Sequence, residues 1–254
     1  MRIVCLIPAR LKSQRLYEKS IANIAGLPMF AHTYFRAKLT GIEEIYVCTD
    51  SKKIENIAKN YNIETIFTKS THKNGTERVS EGASILNLKQ KDIIVNLHGD
   101  EPFINPNDLN KMVNYFVSNE KIDILIPFVR TKEKSNDLNT VKLAINQVNK
   151  VLYLSRSKIP SNFKKDYEIL KQCGVSIYKY SFLRKYLTYK TSRNEKYENI
   201  EIMRAIDNGN YVKGFELKNY FYSIDVEKDL QKANRDMVNN LVFKKYKNDY
   251  TSNS

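Results

Sequence analysis

Along the first half of the chain, short apolar runs alternate with stretches whose apolar residues recur every three or four positions. Residues 2–7 are an apolar run of strand length. Pro28 suits the first position of a helix, and Met29, Phe30, Thr33, Tyr34 and Ala37 follow at helical spacing. Residues 44–48 give a second strand. Thr49, Asp50 and Ser51 then cap a helix with Ile54, Ile57, Ala58 and Tyr61 on its apolar face. Residues 64–67 give a third strand and 76–88 a helix through Val79, Ala83 and Leu86. Residues 92–97 are apolar enough for a strand buried on both faces, as in the centre of a parallel sheet. Asn105 and Pro106 start a helix with Leu109, Met112, Val113 and Phe116. This alternation predicts an α/β fold with a mostly parallel sheet.

The second half is less regular. Strands are predicted over 123–129, 140–145, 150–154, 173–178, 211–217 and 220–224, with 140–154 turning as a hairpin over 146–149. Helices are predicted over 181–189, 196–208 (stopped by Gly209) and 226–237. The expected organisation is one domain over 1–237, containing a smaller mixed subregion over 130–220, then a tail over 238–254. The tail is polar from Lys244 and expected to fray.

Composition narrows the function classes. A 254-residue chain with 42% hydrophobic residues can bury a sizeable core, so whole-chain disorder is excluded. No apolar run reaches the roughly 18 residues of a membrane-spanning helix, and the N-terminal run is too short for a signal peptide, so a cytoplasmic protein without a membrane partner is expected. Cys5, Cys48 and Cys173 lie far apart, an odd set that fits a reducing compartment better than a disulfide framework or a metal knuckle. The formal charge of +14 points to anionic partners, but 31 of the 42 cations are scattered Lys, which read as a solvated surface. No basic stretch is interleaved with aromatics as in nucleic-acid binders.

Ligands of open parallel sheets bind beyond the carboxyl ends of the strands. After the first strand, residues 8–19 carry Arg10, Lys12, Arg15 and Lys19 but neither GxGxxG nor a Walker sequence. The cluster suits a polyphosphate, and equally a solvated basic loop. After the third strand, Asn74-Gly75 makes a turn and Thr76 is expected to cap the next helix. After the central strand, Asp100 and Glu101 follow His98-Gly99, hard carboxylates of the kind Mg²⁺ accepts together with substrate phosphates. Asp225 ends a late strand at a helix start.

Taken together, Ile7-Pro8-Ala9-Arg10, Asn74-Gly75-Thr76-Glu77-Arg78, Gly99-Asp100-Glu101-Pro102, Tyr153-Leu154-Ser155-Arg156 with Ile159-Pro160, and Ile224-Asp225 resemble the 3-deoxy-manno-octulosonate (KDO) cytidylyltransferases, in order and over nearly the whole chain. The resemblance implies a Rossmann-like nucleotidyltransferase fold and an enzyme that joins CTP to KDO, giving CMP-KDO and pyrophosphate for lipopolysaccharide or capsule synthesis. It implies a homodimer, CTP and a sugar acid as partners, no nucleic acid, and Mg²⁺ as cofactor. It places Pro8, Ala9, Arg10, Arg15, Lys19, Asn74, Gly75, Thr76 and Arg78 at the nucleotide. His98, Arg156, Gln172, Glu198 and Glu201 fall at the sugar, and Asp100 and Asp225 at the metal. Arg10, Lys19, Asp100 and Asp225 carry catalysis in this reading.

Six positions depart from that pattern, one of them Ser20, where the family has a second Pro. Tyr17 and Glu18 stand where the family has Pro and Gly, His98 where it has Gln, Gln172 where it has His, and Ile202 where it has Gln. Either the pocket is rearranged around KDO, or the substrate is a related sugar acid, a modified KDO or a nonulosonic acid. Outside this class stand a nucleotide-sugar glycosyltransferase, which would release a nucleoside diphosphate, and a nucleic-acid binder, whose affinity would fall steeply with salt.

Overall fold

A computed structural model describes residues 1–13, 15–132, 135–161, 168–218 and 221–247. It resolves the chain into two compact units. One comprises Met1–Asn110 with Phe221–Ser254, and the other Lys111–Tyr220.

The first unit is built on four parallel strands: β1 (Ile3–Pro8), β4 (Glu44–Thr49), β5 (Thr65–Phe67) and β6 (Ile93–Leu97). Their spatial order is β5-β4-β1-β6. The chain winds outward from β1 and then returns to its other side. The carboxyl ends of β1 and β6 therefore flank a topological switch point, where such sheets bind ligands. Val4 to Ile7 and Ile94, Val95 and Leu97 are wholly buried, as expected of strands covered on both faces. A two-residue hairpin, β2 (Asn23–Ile24) with β3 (Leu27–Pro28), precedes α1 (Met29–Lys38), whose N-cap is Pro28. Helix α2 (Lys52–Asn60) is capped by Ser51, whose side chain accepts from the Ile54 amide at 3.3 Å. Helix α3 (Gly75–Ile85) lies close against the sheet: a Cβ at Gly82 would fall 2.7 Å from Cys48 Sγ. It stops before the predicted Leu88, as Asn87 takes a left-handed φ of 53°. Helix α4 (Pro106–Val117) contains the boundary between the units. Cys5, Cys48 and Cys173 are free and buried, and burial pushes the Cys48 thiol up to about 12.

The segment 221–247 completes the first unit. Residues 221–224 are irregular rather than the predicted strand, and Tyr220 lies outside the described residues. Helix α8 is Glu227–Val238. The fraying expected from Lys244 is corrected for 244–246, which belong to α9 (Leu241–Tyr246), while 248–254 lie outside the described residues. Asn240 caps α9 by accepting from the Val242 and Phe243 amides at 3.0 and 3.2 Å. Phe243 and Tyr246, one turn apart among lysines, are both buried. Tyr246 Oη lies 2.8 Å from His32 Nδ1, and His32 Nε2 lies 2.8 Å from the Ile24 carbonyl. The carbonyl can only accept, so Nε2 carries the proton and Nδ1 accepts from the tyrosine. Burial holds the His32 ring down at about 4. Arg36, also buried, donates to Ile104 O at 3.0 Å and Asn240 Oδ1 at 2.7 Å.

The second unit has a mixed sheet around β7 (Ile124–Thr131). Strand β12 (Val212–Glu216) runs parallel to it, while β10 (Ile169–Gln172) and β11 (Val175–Lys179) pair with it antiparallel. Gln172 faces Phe128 and Ile177 faces Leu125, so the four residues between them on one side oppose two on β7 and the strand is interrupted at Cys173-Gly174. That interruption explains why the pattern predicts only the later strand. The expected hairpin is present as β8 (Lys142–Ile145) and β9 (Val151–Ser155). Helix α5 is Tyr180–Tyr186. The single helix predicted over 196–208 is instead α6 (Arg193–Glu198) and α7 (Ile202–Asp207). Asn199, at φ 53°, ends the first, and Ser192 opens it with a capping box to Glu195.

Candidate active site

In the first unit the site forms around Pro8, the last residue of β1. A Cβ on Gly75 would lie 3.4 Å from the Pro8 ring, and one on Gly99 would lie 3.1 Å from the Pro8 carbonyl. Glycine at both positions lets the start of α3 and the loop after β6 close on this strand end. The Ala9 amide donates to Cys48 O at 2.9 Å, which ties the loop to β4. The cap of α3 is Asn74 rather than the predicted Thr76: Asn74 Oδ1 accepts from the Glu77 amide at 2.9 Å. Gly75 and Thr76 are the first two residues of that helix, whose N-terminus favours negative charge.

Arg78 turns into the fold. Its guanidinium is buried, 3.1 Å from Asp50 Oδ2 and 2.5 Å from Thr68 Oγ1. Asp50 and Thr68 follow β4 and β5, so Arg78 fixes α3 to the ends of both strands.

The cationic loop returns over the strand ends. Ser20 Oγ donates to the Arg10 carbonyl at 2.8 Å, closing it. Glu18 occupies a left-handed conformation with φ 45°, where the resembled pattern has glycine, and its carboxylate meets Lys53 Nζ at 2.6 Å. A non-glycine residue there costs about 1 kcal/mol. Arg10 is exposed. Lys19 Nζ reaches Asp100 Oδ2 at 2.5 Å and Asp225 Oδ1 at 2.9 Å, and Arg15 Nη2 reaches Asp225 Oδ1 at 3.0 Å. Burial pushes the Asp100 carboxyl up, but the Lys19 ammonium and nearby His98 outweigh it and hold it below the ordinary range. Burial likewise opposes the Lys19 charge, and Asp100 and Asp225 overcome it, so its affinity for a proton is raised.

Glu101, read in the sequence as a second hard carboxylate for Mg²⁺, is instead turned inward to Ser223, and these two residues set the geometry. Glu101, 1% exposed, accepts from Ser223 Oγ at 2.7 Å, and the Ile224 amide donates to Asp100 O at 3.3 Å. These bonds hold the segment after β6 beside the segment before α8, so Asp100 and Asp225 converge. The available signal was the second carboxylate of Gly-Asp-Glu-Pro and a hydroxyl two residues before Asp225. The two aspartates offer hard oxygen donors to one point. That donor set suits Mg²⁺, which is held by one or two carboxylates with waters and phosphates completing the shell. No cluster of three or more His, Cys, Asp or Glu suited to a metal occurs among the described residues.

In the second unit Arg156 follows β9. Its Nε donates to Glu198 O at 2.8 Å, Nη1 to Leu138 O at 3.0 Å and Nη2 to Asn199 O at 3.1 Å, so it caps the end of α6. The Glu198 carboxylate accepts from Ser155 Oγ and the Arg156 amide, each at 2.8 Å, and thus brackets the same turn. Lys142, buried on β8 and passed over by sequence reasoning, donates to Asp137 O at 2.7 Å and Arg156 O at 2.6 Å. Glu201 precedes α7, and its carbonyl accepts from Tyr186 Oη at 2.9 Å. The helix predicted over 196–208 is divided at Asn199, so Glu198 and Glu201 fall in separate elements, and Arg204 pairs with the buried Glu195, Nε to Oε2 at 2.7 Å. Gln172 ends β10, its amide donating to Val141 O at 2.9 Å.

The sequence model of the family described as cytidylyltransferase matches residues 4–228. A 3-deoxy-manno-octulosonate cytidylyltransferase of a Nitratiruptor species is 35% identical over 233 residues, 90% of this chain and 97% of that protein. An 8-amino-3,8-dideoxy-manno-octulosonate cytidylyltransferase of Shewanella pealeana is 32% identical over 236 residues, covering 91% and 96%. The solved structure of CMP:2-keto-3-deoxy-manno-octonic acid synthetase complexed with CTP is similar with a TM-score of 0.87 at 29% identity, over 94% of this chain and 99% of that one. A Rossmann-like sheet with its cationic loop and paired aspartates at the switch point accords with this match over nearly the full length, and the chain belongs to the cytidylyltransferase family of nucleotidyltransferases.

Proposed function

We propose that the chain transfers the CMP group of CTP to the anomeric hydroxyl of a 3-deoxy-2-ulosonic acid, KDO before others, and releases pyrophosphate. The observation that carries the reading is the meeting of Lys19, Asp100 and Asp225 beyond the carboxyl ends of β1 and β6. A phosphoryl-type transfer asks the protein for positioning and charge stabilisation rather than a covalent group. Arg10, Arg15 and Lys19 supply positive charge for the triphosphate and for the leaving pyrophosphate. Pro8, Ala9 and the Asn74–Thr76 turn provide the close-approach surface for the nucleoside. Asp100 and Asp225 would hold Mg²⁺, which when bound neutralises phosphate charge and makes the sugar hydroxyl more acidic. Arg156, satisfied by carbonyls, keeps its charge for the sugar carboxylate, with His98, Gln172, Glu198 and Glu201 as the remaining sugar-side residues.

A modified KDO is the second reading. It is favoured by the relative named for the 8-amino sugar and by the substitutions at Tyr17, Glu18, His98, Gln172 and Ile202. The buried free cysteines support action in a reducing compartment such as the cytoplasm. Val148 and Leu152, more than half exposed on the β8–β9 hairpin, support a homodimer joined there. The test is a matrix of nucleoside triphosphates against sugar acids with Mg²⁺, read by pyrophosphate release. Release with CTP and one such acid is expected. Release of a nucleoside diphosphate, or none with any acid, overturns the reading.

A further inference from the structure

Two carboxylates that face one point repel each other unless a cation stands between them. Here the chain supplies that cation itself. Lys19 Nζ is within hydrogen-bond distance of both Asp100 and Asp225, and Arg15 meets Asp225 as well, so these four side chains form an electrically neutral cluster. We propose that Lys19 is the resident counter-ion of the Asp100–Asp225 pair, displaced when a divalent cation takes the same oxygens and received by the nucleotide phosphates once displaced. The inference rests on the reading that these aspartates hold the metal.

The geometry permits the exchange. The Lys19 backbone is fixed: the Ala22 amide donates to Lys19 O at 3.1 Å, the Ile21 amide to Glu18 O at 2.9 Å, and Ser20 fastens the turn to Arg10. Its ammonium rides on a flexible four-carbon stem. The carboxylates are anchored from behind, since Asp100 and Asp225 belong to segments joined by the Ser223–Glu101 bond. One cation can therefore leave and another enter without rebuilding the loops. Metal and lysine compete for the same oxygens, while carboxylate and phosphate compete for the same ammonium. Each ligand frees the partner that the other needs, so metal and nucleotide bind with positive coupling, reciprocal by linkage.

The experiment is a titration of the full chain with Mn²⁺ alone, followed by electron paramagnetic resonance, in wild type and Lys19→Met. Without nucleotide, Lys19→Met should bind Mn²⁺ roughly tenfold more tightly, within the usual range of coupling between two sites. A non-reacting CTP analogue should strengthen Mn²⁺ binding by wild type and do so much less for the variant. Mg²⁺ should also raise the melting temperature of Lys19→Met more than that of wild type. If Lys19→Met does not fold, Lys19→Gln and the wild-type comparison with and without the analogue give the same test. Equal Mn²⁺ affinities in wild type and variant without nucleotide overturn the displacement while leaving the metal assignment standing. Absence of Mn²⁺ binding in both, with and without the analogue, overturns both.

Discussion

Two cation clusters, one in each unit, are satisfied in opposite ways. In the first, Lys19 and Arg15 face carboxylates, so the cluster is neutral. In the second, Arg156 and Lys142 face main-chain carbonyls: Glu198 O, Leu138 O and Asn199 O for the guanidinium, Asp137 O and Arg156 O for the ammonium. A carbonyl satisfies a donor without cancelling its charge. Burial accordingly holds the Lys142 ammonium below its ordinary value, with Asp137 offsetting part of the effect. What satisfies a cation therefore says more about its use than its presence does. A neutral cluster suits groups that come and go with a metal and a polyphosphate. A cation held by carbonyls keeps its net charge.

The sharpest way to break this comparison is to remove the carboxylates of the first cluster. Asp100→Ala and Asp225→Ala should each lower pyrophosphate release about a thousandfold, with the circular dichroism spectrum unchanged. Near wild-type rates in both would end the metal assignment. Acid profiles sharpen the comparison only after the fold's own acid response is known. His32 sits at about 4 when folded and near 6.5 when unfolded, so the unfolded state takes up its proton first as pH falls. Stability from this ring is complete above that unfolded value and declines toward pH 4, by about 3 kcal/mol in all. Urea midpoints across that range measure it, and His32→Gln should flatten the slope; an unchanged slope in the variant places the acid response elsewhere. The smallest effect concerns the carbonyl-held cation. Arg156→Met should raise KM for the sugar acid about thirtyfold, worth about 2 kcal/mol, and leave KM for CTP unaltered. An equal rise in both constants would make Arg156 a structural cap alone.

The parallel strands, their order of appearance and the loops that follow them were legible because buried central strands write themselves as unbroken apolar runs, as in Ile93–Leu97. Ser51 was legible as a cap since its hydroxyl precedes an amphipathic repeat. Elsewhere local pattern lost to tertiary bonding. Asn74 rather than Thr76 took the cap, and Asn199 broke a periodic stretch by adopting a left-handed turn that periodicity cannot register. Helix α9 hid its two aromatic residues among lysines and depends on His32 and Arg36 from far away. At the site, residue types marked Asp100 and Glu101 as candidates, and Asp225 entered only through the family resemblance. Only the fold shows that Arg78 braces two strand ends and that Glu101 and Ser223 join the segments bearing the aspartates.

The return of residues 221–247 to the first unit has a further consequence, for the order in which the molecule is made. Lys19 and Asp225 are 206 residues apart, and His32 and Tyr246 are 214 apart. During synthesis the four parallel strands emerge before the carboxylate that completes the cation cluster and the helix that covers His32. Contacts of such long sequence separation form slowly, because a large loop must close before they contribute. The nascent protein thus carries an incomplete cation cluster and an uncovered His32 until residues 221–247 dock.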